Sequence, residues 1–132
     1  MKKVLITGSV MNSNDESIEF YENLVSICVE NNCDVSSPLD TMKFTGTDEE
    51  RYVRAMKFVD STDFIIAEMS IPSTGQGMEL QQAVIKNIPI LVIAKKNSKI
   101  SGLIKGSKKV VDILYYETID DIKTKIVEML NN

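Results

Sequence analysis

The chain of 132 residues contains no histidine and only two cysteines, Cys28 and Cys33. It therefore lacks the imidazole and thiolate ligands from which structural and catalytic zinc sites are usually built, and we expect no metal. The two cysteines are five positions apart, one late in a predicted helix and the other at the start of a predicted strand. Buried, reduced thiols are the expected state.

Long apolar runs and an excess of positive charge are also missing. No segment approaches the ~20 apolar residues that a bilayer-spanning helix requires, and Met1-Lys-Lys leads into a strand pattern without the features of a secretory signal. The net charge of −4 argues against a protein that binds a nucleic-acid backbone. We expect a cytoplasmic protein that binds neither a membrane nor a nucleic-acid polymer, while free small nucleotides are not excluded as substrates.

Hydrophobic residues make up 43% of the chain, which is enough for one core, whereas the length is too short for two ordinary domains. Residues 1–132 are therefore expected to form a single domain. Short apolar runs alternate with longer segments of helical periodicity. The predicted strands are 4–7, 33–36, 64–67, 88–93 and 110–115, and the predicted helices are 13–31, 47–61, 78–86 and 120–130. Capping-box spacing opens the first two helices, at Ser13 to Glu16 and at Thr47 to Glu50.

This alternation predicts an α/β fold, a doubly wound, Rossmann-like or flavodoxin-like parallel sheet of five strands with helices on both faces. Ligands of such sheets bind beyond the carboxyl ends of the strands, near the point where the strand order reverses. Three polar segments would lie at that edge, namely Gly8-Ser9, residues 70–77 and the residues after Ile93. We expect them to converge on one cleft.

The stretch from Asp63 to Glu79 is the most informative in the sequence. It has the pattern of a buried strand, a loop containing Ser73, Gly75 and Gly77, and a helix start that carries Glu79. Glycines let backbone amides approach a ligand closely, and the helix dipole favours an ionised carboxylate in the first turn. Glu79 is therefore a candidate nucleophile. The alternative, an acid that only stabilises its helix, stays open.

Two other polar segments are less specific. Gly8-Ser-Val-Met-Asn-Ser13 follows a strand, but it lacks the remaining glycines of a dinucleotide fingerprint and the Gly-Lys-Ser/Thr of a Walker loop. It can offer the Ser9 hydroxyl and backbone amides to a phosphate. The alternative, that Gly8 only permits a tight turn, stays open. Residues 96–106 are moderately basic and carry hydroxyls, which in isolation is typical of a solvated loop.

A resemblance to a known family rests on Ala67-Glu68, Pro72-Ser73, Gly75, Gly77 and Glu79, together with Ile-Ser-Gly-Leu-Ile-Lys-Gly at 100–106. These residues resemble the nucleoside 2-deoxyribosyltransferase superfamily and, within it, the 2'-deoxynucleoside 5'-monophosphate N-glycosidases. The resemblance implies cleavage of the bond between a nucleobase and deoxyribose 5'-phosphate, with no cofactor. It also implies that Glu79 attacks the anomeric carbon and forms a glycosyl-enzyme, which water opens in a hydrolase and a second base opens in a transferase.

The resemblance further implies a homodimer whose serines hold the 5'-phosphate of a small-molecule nucleotide. Ser9 and Ser73 would act within one subunit, and Ser101 would reach in from its neighbour. The residues expected to bind substrate are Gly8, Ser9, Ser73, Gly75, Gly77, Met78 and Ser101.

The sequence departs from the family pattern at three positions. In Tyr52-Val-Arg-Ala55, alanine replaces an acid that assists departure of the base, and general acid catalysis is typically worth ~10²–10⁴-fold. Leu5 and Met11 replace a tyrosine and a phosphate-binding arginine. Tyr52 or Glu68 could supply the missing acid, although either could equally be an ordinary surface or packing residue.

Without that arginine, we expect phosphate affinity to depend on hydroxyls, amides and helix ends, with a lysine between Lys95 and Lys109 as a further candidate. The sequence thus leaves two main hypotheses. One is an N-glycosidase acting on nucleoside 5'-monophosphates, with a deoxyribosyltransferase as a near variant. The other is a nucleotide-binding regulatory module that has lost catalysis. A purely structural protein is the third alternative.

Overall fold

A computed structural model describes residues 1–9 and 14–132 of the chain. The strands are β1 (Lys2–Thr7), β2 (Cys33–Ser36), β3 (Phe64–Glu68), β4 (Ile90–Lys95) and β5 (Val110–Tyr116). The helices are α1 (Asp15–Glu30), α2 (Pro38–Lys43), α3 (Asp48–Ser61), α4 (Thr74–Ile85), α5 (Gly102–Lys105) and α6 (Asp120–Leu130).

The five strands form one parallel sheet in the order β2-β1-β3-β4-β5, which confirms the predicted sheet. In this order the chain first moves outward from β1 to β2 and then returns past β1 to β3. The order therefore reverses between β1 and β3, where Thr7 is paired with Ala67. Ligands are expected beyond the carboxyl ends of these two strands.

Alternate residues of the strands pack against helices on opposite faces of the sheet. On one face, Ile6 and Ile66 join Leu24 of α1 and Ile126 of α6 in a buried cluster. On the other face, Ile65 joins a second cluster that includes Val59 of α3, with Leu80 and Ala83 of α4. Because both faces are covered, the strands read as continuous apolar runs, and the predicted two-sided architecture is confirmed.

Local capping sets where the first long helices begin. At α3, Thr47 Oγ1 accepts from the Glu50 amide at 3.1 Å and Glu50 Oε1 accepts from the Thr47 amide at 3.0 Å, so the second predicted capping box is confirmed. The first predicted box begins at Ser13, which lies outside the described residues. The cap observed at α1 is Asn14, whose Oδ1 accepts from the Ser17 amide at 2.9 Å.

The structure corrects the predicted helix boundaries in three places. Helix α4 begins at Thr74, four residues before the predicted start, because the Ser73 hydroxyl accepts from the Gln76 amide at 3.3 Å and caps it. Residues 38–43, which lie outside every predicted strand and helix, form α2; Pro38 occupies its first turn, where the missing amide is tolerated. The predicted loop 96–106 contains the single turn α5.

The remaining fold-level expectations concern the cysteines and the membrane. Cys28 and Cys33 are both buried and unpaired, which confirms the prediction for them. Within residues 1–9 and 14–132, no helix is both long enough and apolar enough to cross a membrane.

Candidate active site

A cavity of about 340 Å³ lies at the carboxyl ends of β1 and β2, and helices α2 and α3 and the first turns of α4 complete its walls. We call it the Glu79 cavity. Six of the eight residues that the sequence predicts for the site line it: Gly8, Ser9, Ser73, Gly75, Met78 and Glu79. The structure therefore brings the candidate nucleophile together with both serines that the resemblance assigns to one subunit.

The other two predicted residues, Gly77 and Ser101, line a neighbouring cavity of about 630 Å³, which we call the Ser101 cavity. Ser73 contributes to the walls of both cavities. Ser101 is exposed and its hydroxyl accepts from the Leu103 amide at 3.3 Å, capping α5. Within one chain the structure does not bring Ser101 into the Glu79 cavity, so its role from a second subunit stays a prediction.

The position of Glu79 in α4 differs from the sequence-based expectation. It lies in the second turn, six residues after the cap Ser73, and not in the first turn, because α4 begins earlier than predicted. The side chain is largely buried, and burial raises its pKa from 4.5 to about 7. The expected stabilisation of the ionised form by the helix dipole, which falls off beyond the first turn, is therefore wrong; desolvation dominates.

The Glu79 carboxylate also forms no ion pair with any residue that the structure describes. Among the described residues the ion pairs are Lys96 with Glu117 and Lys125 with Glu128, and neither involves Glu79. A carboxylate that is poorly solvated and unpaired is a stronger nucleophile than one held in an ion pair. Its pKa of about 7 keeps a large ionised fraction at neutral pH.

The glycines of α4 leave free space beside its first turn. A Cβ at Gly75 or Gly77 would meet no heavy atom within 4 Å, and neither residue has a positive φ. Their missing side chains are thus required neither by internal packing nor by backbone conformation. At Gly75 the free space belongs to the Glu79 cavity, where the unpaired amides of the first turn are available to an anion.

Gly8 has a different explanation. A Cβ at this position would overlap the hydroxyl of Tyr21, which packs from α1 against the end of β1. The structure therefore gives Gly8 a packing requirement, the contact with Tyr21, which differs from the tight turn considered as the alternative. Ser9, the next residue, keeps its place in the cavity wall.

Helix α3 supplies the wall opposite the sheet. Asp48, Tyr52 and Ala55 are spaced at i, i+4 and i+7, so they share one helix face, and all three line the Glu79 cavity. The alanine that replaces the family's acid therefore lies in the cavity with the candidate nucleophile. Tyr52 lies one turn away and is about half exposed, at 54%.

Two arginines of the cavity were missed by the sequence analysis. Arg51 and Arg54 line the Glu79 cavity, whereas no residue from 95–109 does. Arg54 Nη1 donates to Thr41 Oγ1 at 3.3 Å, and its guanidinium lies 4.7 Å from the centroid of the Phe58 ring. Within one chain no lysine of 95–109 lines this cavity, so a phosphate ligand from that segment stays a prediction for a second subunit. Arg51 lies one turn before Ala55 on α3, and that spacing could have indicated it.

Glu68, the other alternative for the missing acid, lies elsewhere. It lines an adjacent cavity of about 690 Å³, which shares Ser9 with the Glu79 cavity. Its carboxylate accepts hydrogen bonds from the Ser70 amide at 2.7 Å, from the Ser70 hydroxyl at 2.9 Å and from the Tyr116 hydroxyl. Glu68 thus joins β3 to β5, and of the two alternatives only Tyr52 shares a cavity with Glu79.

The expectation of one cleft therefore needs correction. Ser9 stands between two cavities, and the residues after Ile93, including Lys95 and Lys96, line the one that contains Glu68. The cause is geometric, because β4 and β5 lie on the far side of β3 from β1. Leu5 lines the Glu79 cavity as an apolar side chain, and Met11 lies outside the described residues.

Comparison with known proteins found relatives by sequence, while no family model matches the chain. It is 24% identical over 136 residues to a protein of Methanosarcina mazei, covering 98% of this chain and 84% of that protein. It is 30% identical over 93 residues to a protein of Methanosarcina barkeri, covering 70% of this chain and 58% of that protein. Both relatives are provisionally named 2'-deoxynucleoside 5'-phosphate N-hydrolase 1.

Solved structures share the fold over nearly the whole chain. The CMP N-glycosidase of Clostridium botulinum superposes with a TM-score of 0.79 at 16% identity, covering 97% of this chain and 99% of that one. A 2-deoxyribosyltransferase of Bacillus psychrosaccharolyticus superposes with a TM-score of 0.72 at 17% identity, covering 97% and 95%. At these identities the likeness shows a common fold.

Proposed function

We propose that this chain, whose predicted resemblance to the nucleoside 2-deoxyribosyltransferase superfamily is confirmed by these comparisons, hydrolyses the base–sugar bond of nucleoside 5'-monophosphates. One observation carries the proposal. Glu79, a largely buried carboxylate with a pKa of about 7, lines one cavity with two serine hydroxyls and the open first turn of a helix. That arrangement offers a nucleophile at one end and an anion site at the other.

In the first step the Glu79 carboxylate attacks C1' of the sugar from the face opposite the base. The electron pair of the C1'–N bond passes to the base, which leaves after taking up a proton. In the second step water attacks C1' of the glycosyl ester and loses a proton, releasing the sugar 5-phosphate and restoring the carboxylate. Retaining glycosidases use the same two displacements.

The 5'-phosphate is bound where Ser9, Ser73 and Gly75 meet. Both serines can donate through their hydroxyl groups, and the first-turn amides and dipole of α4 favour an anion. Arg51 and Arg54 add positive charge to the cavity wall in place of the family's arginine. In this proposal a second copy of the chain forms a homodimer and brings Ser101 to the same phosphate.

The proton for the departing base comes from Tyr52. Tyr52 belongs to the α3 face that lines the cavity, one turn from Ala55. A phenol is a weaker acid than a carboxylic acid, so the base should leave more slowly than from a family member that keeps the acid.

The test is release of free base from a panel of nucleoside 5'-monophosphates, separated by liquid chromatography. Glu79→Gln should lower release roughly 10³-fold or more, as expected for loss of a nucleophile. Glu22→Gln, an exposed position on α1, is the matched control and should leave release unchanged. Equal activity of wild type and Glu79→Gln would remove the mechanism. Addition of a second free base distinguishes a transferase, which would form an exchanged nucleotide.

A second function, nucleotide binding without catalysis, is favoured by one specific observation. Ala55 lines the Glu79 cavity where the resemblance requires an acid. A regulatory module of this kind would bind a nucleoside monophosphate, measured by calorimetry, and release no base. Restoration of the acid by Ala55→Asp separates the two functions, because it should start turnover in a module that has lost only this group.

A further inference from the structure

Gln76 is the one long polar side chain fully buried in the described core. It is 2% exposed and lies in the first turn of α4. Its Nε2 donates to Thr7 Oγ1 at 2.9 Å and to the Glu68 carbonyl oxygen at 3.0 Å. Its Oε1 has no hydrogen-bond partner among the residues that the structure describes.

The orientation of this amide is fixed by its neighbours. The Glu68 carbonyl can only accept a hydrogen bond, so the Gln76 nitrogen must face it. Exchange of the two amide atoms would place two acceptors together at 3.0 Å. The unpartnered atom is therefore an acceptor, and no group in residues 1–9 and 14–132 donates to it, whereas buried polar groups are rarely left unpaired.

The place of Gln76 indicates a donor for this acceptor. Gln76 lines the Glu79 cavity, and its amide bonds to the ends of β1 and β3, between which the strand order reverses. Along α4 it is three residues after Ser73 and three before Glu79, so it lies between the proposed phosphate site and the proposed nucleophile. In a β-nucleotide the face that such a nucleophile attacks is the face that carries the 2' and 3' hydroxyls.

We propose that Gln76 Oε1 accepts a hydrogen bond from a sugar hydroxyl on the face attacked by Glu79, which makes Gln76 the residue that determines sugar specificity. The inference rests on the proposed function, because it takes the cavity to hold a nucleotide. The hydrogen bonds to Thr7 and Glu68 hold the amide in place before the ligand arrives. A ligand without the hydroxyl would leave the buried acceptor unpaired. For the same reason, other sites that hydrogen-bond a substrate hydroxyl discriminate against analogues that lack it.

The test compares three ligands, cytidine 5'-monophosphate and its 2'-deoxy and 3'-deoxy analogues, by calorimetry. With the wild type, loss of the recognised hydroxyl should weaken binding about 10–100-fold, and the analogue that shows the loss identifies whether it is the 2' or the 3' group. With Gln76→Met, which keeps the volume and removes the acceptor, the parent nucleotide should bind as weakly as that analogue. The ratio of the two dissociation constants should fall to about one.

Gln82→Met is the matched control. Gln82 lies on the same helix, and its Nε2 donates to Asp60 Oδ1 at 2.9 Å, away from the Glu79 cavity. This variant should keep the wild-type preference. If Gln76 served folding alone, Gln76→Met would weaken the binding of all three nucleotides by the same factor. That result would overturn the proposal.

The wild-type measurement decides the question even if Gln76→Met fails to fold. Equal binding of all three nucleotides by the wild type would show that Gln76 Oε1 accepts no hydrogen bond from a sugar hydroxyl. A water molecule, or no group at all, would then lie at Oε1. The proposed function fails separately. Discrimination between the nucleotides without base release would contradict the hydrolase activity and support the role of Gln76. Base release without discrimination would support the hydrolase activity and contradict the role of Gln76. Absence of binding by any nucleotide would remove both.

Discussion

Glu79 of α4 and Ala55 of α3 line the same cavity. The side chain placed to attack a sugar is thus present, while the position from which the family's acid assists the departing base holds a methyl group. The two helices bring together groups 24 positions apart in the sequence, and neither residue alone would indicate the chemistry.

The pH dependence of base release reports the state of Glu79. Since the attacking form is the carboxylate and burial raises its pKa to about 7, kcat/KM should rise with pH through about 7 and level off above about 8. Initial rates between pH 5 and pH 9 at low substrate concentration measure this profile. A rate that is flat or falls through this range would contradict Glu79 as nucleophile.

Ala55→Asp restores an acid on the cavity face of α3. Base release should increase by about 10²-fold, at the lower end of the range for general acid catalysis, because the new carboxyl can protonate the base. Its pH profile should also gain a falling limb at high pH. Val53→Asp adds the same charge to α3 at a half-exposed position outside the Glu79 cavity, and it should change neither quantity. An unchanged Ala55→Asp rate would indicate a different substrate class.

Glu79 should reduce stability at neutral and alkaline pH. Its pKa is about 7 in the folded state and 4.5 as the ordinary value, so the folded chain binds more protons between these limits and its stability falls as pH rises through them. Glu79→Gln removes this effect and should raise the free energy of unfolding on the order of 3 kcal/mol at pH 8, with most of the gain lost at pH 5. Urea unfolding at both pH values measures it.

The control for that experiment is again Glu22→Gln, which should change stability equally little at both pH values because its side chain is exposed. A gain for Glu79→Gln that is the same at pH 5 and pH 8 would show that the carboxyl is not desolvated in the folded protein.

Gly75→Ala separates the requirements of the fold from those of the ligand. A Cβ there meets nothing within 4 Å, and alanine is the better helix former, so stability should rise by about 0.5–1 kcal/mol. The same methyl group enters the Glu79 cavity beside the first-turn amides, so nucleotide affinity should fall. Thermal unfolding without ligand and calorimetry with nucleotide measure the two effects. Higher stability with unchanged affinity would show that no ligand uses this space.

The sheet could be predicted from sequence because burial on both faces makes each central strand a short apolar run. Strand β3 is the clearest case, since all five of its residues are buried. The start of α3 was predictable for a different reason: the interaction of Thr47 with Glu50 is local, so it can be recognised from spacing alone.

The start of α4 was missed because Gly75 and Gly77 are typical of loops, whereas here they lie inside a helix that Ser73 caps. That difference moved Glu79 from the first turn to the second, while the raised pKa of Glu79 has a separate cause, its burial in the folded chain. Arg54 could not be assigned to the cavity because its place depends on contacts with Thr41 and Phe58, which come together only in the folded chain.

The central claim is that Glu79 forms a covalent bond to the sugar, and mass spectrometry of the enzyme tests it most directly. A nucleotide analogue with fluorine at C2' slows the second displacement, so the glycosyl-enzyme should accumulate. After acid quenching and proteolysis, the peptide that contains Glu79 should gain the mass of one sugar phosphate, and Glu79→Gln should gain none. Base release with no adduct, or with an adduct on another residue, would contradict the account.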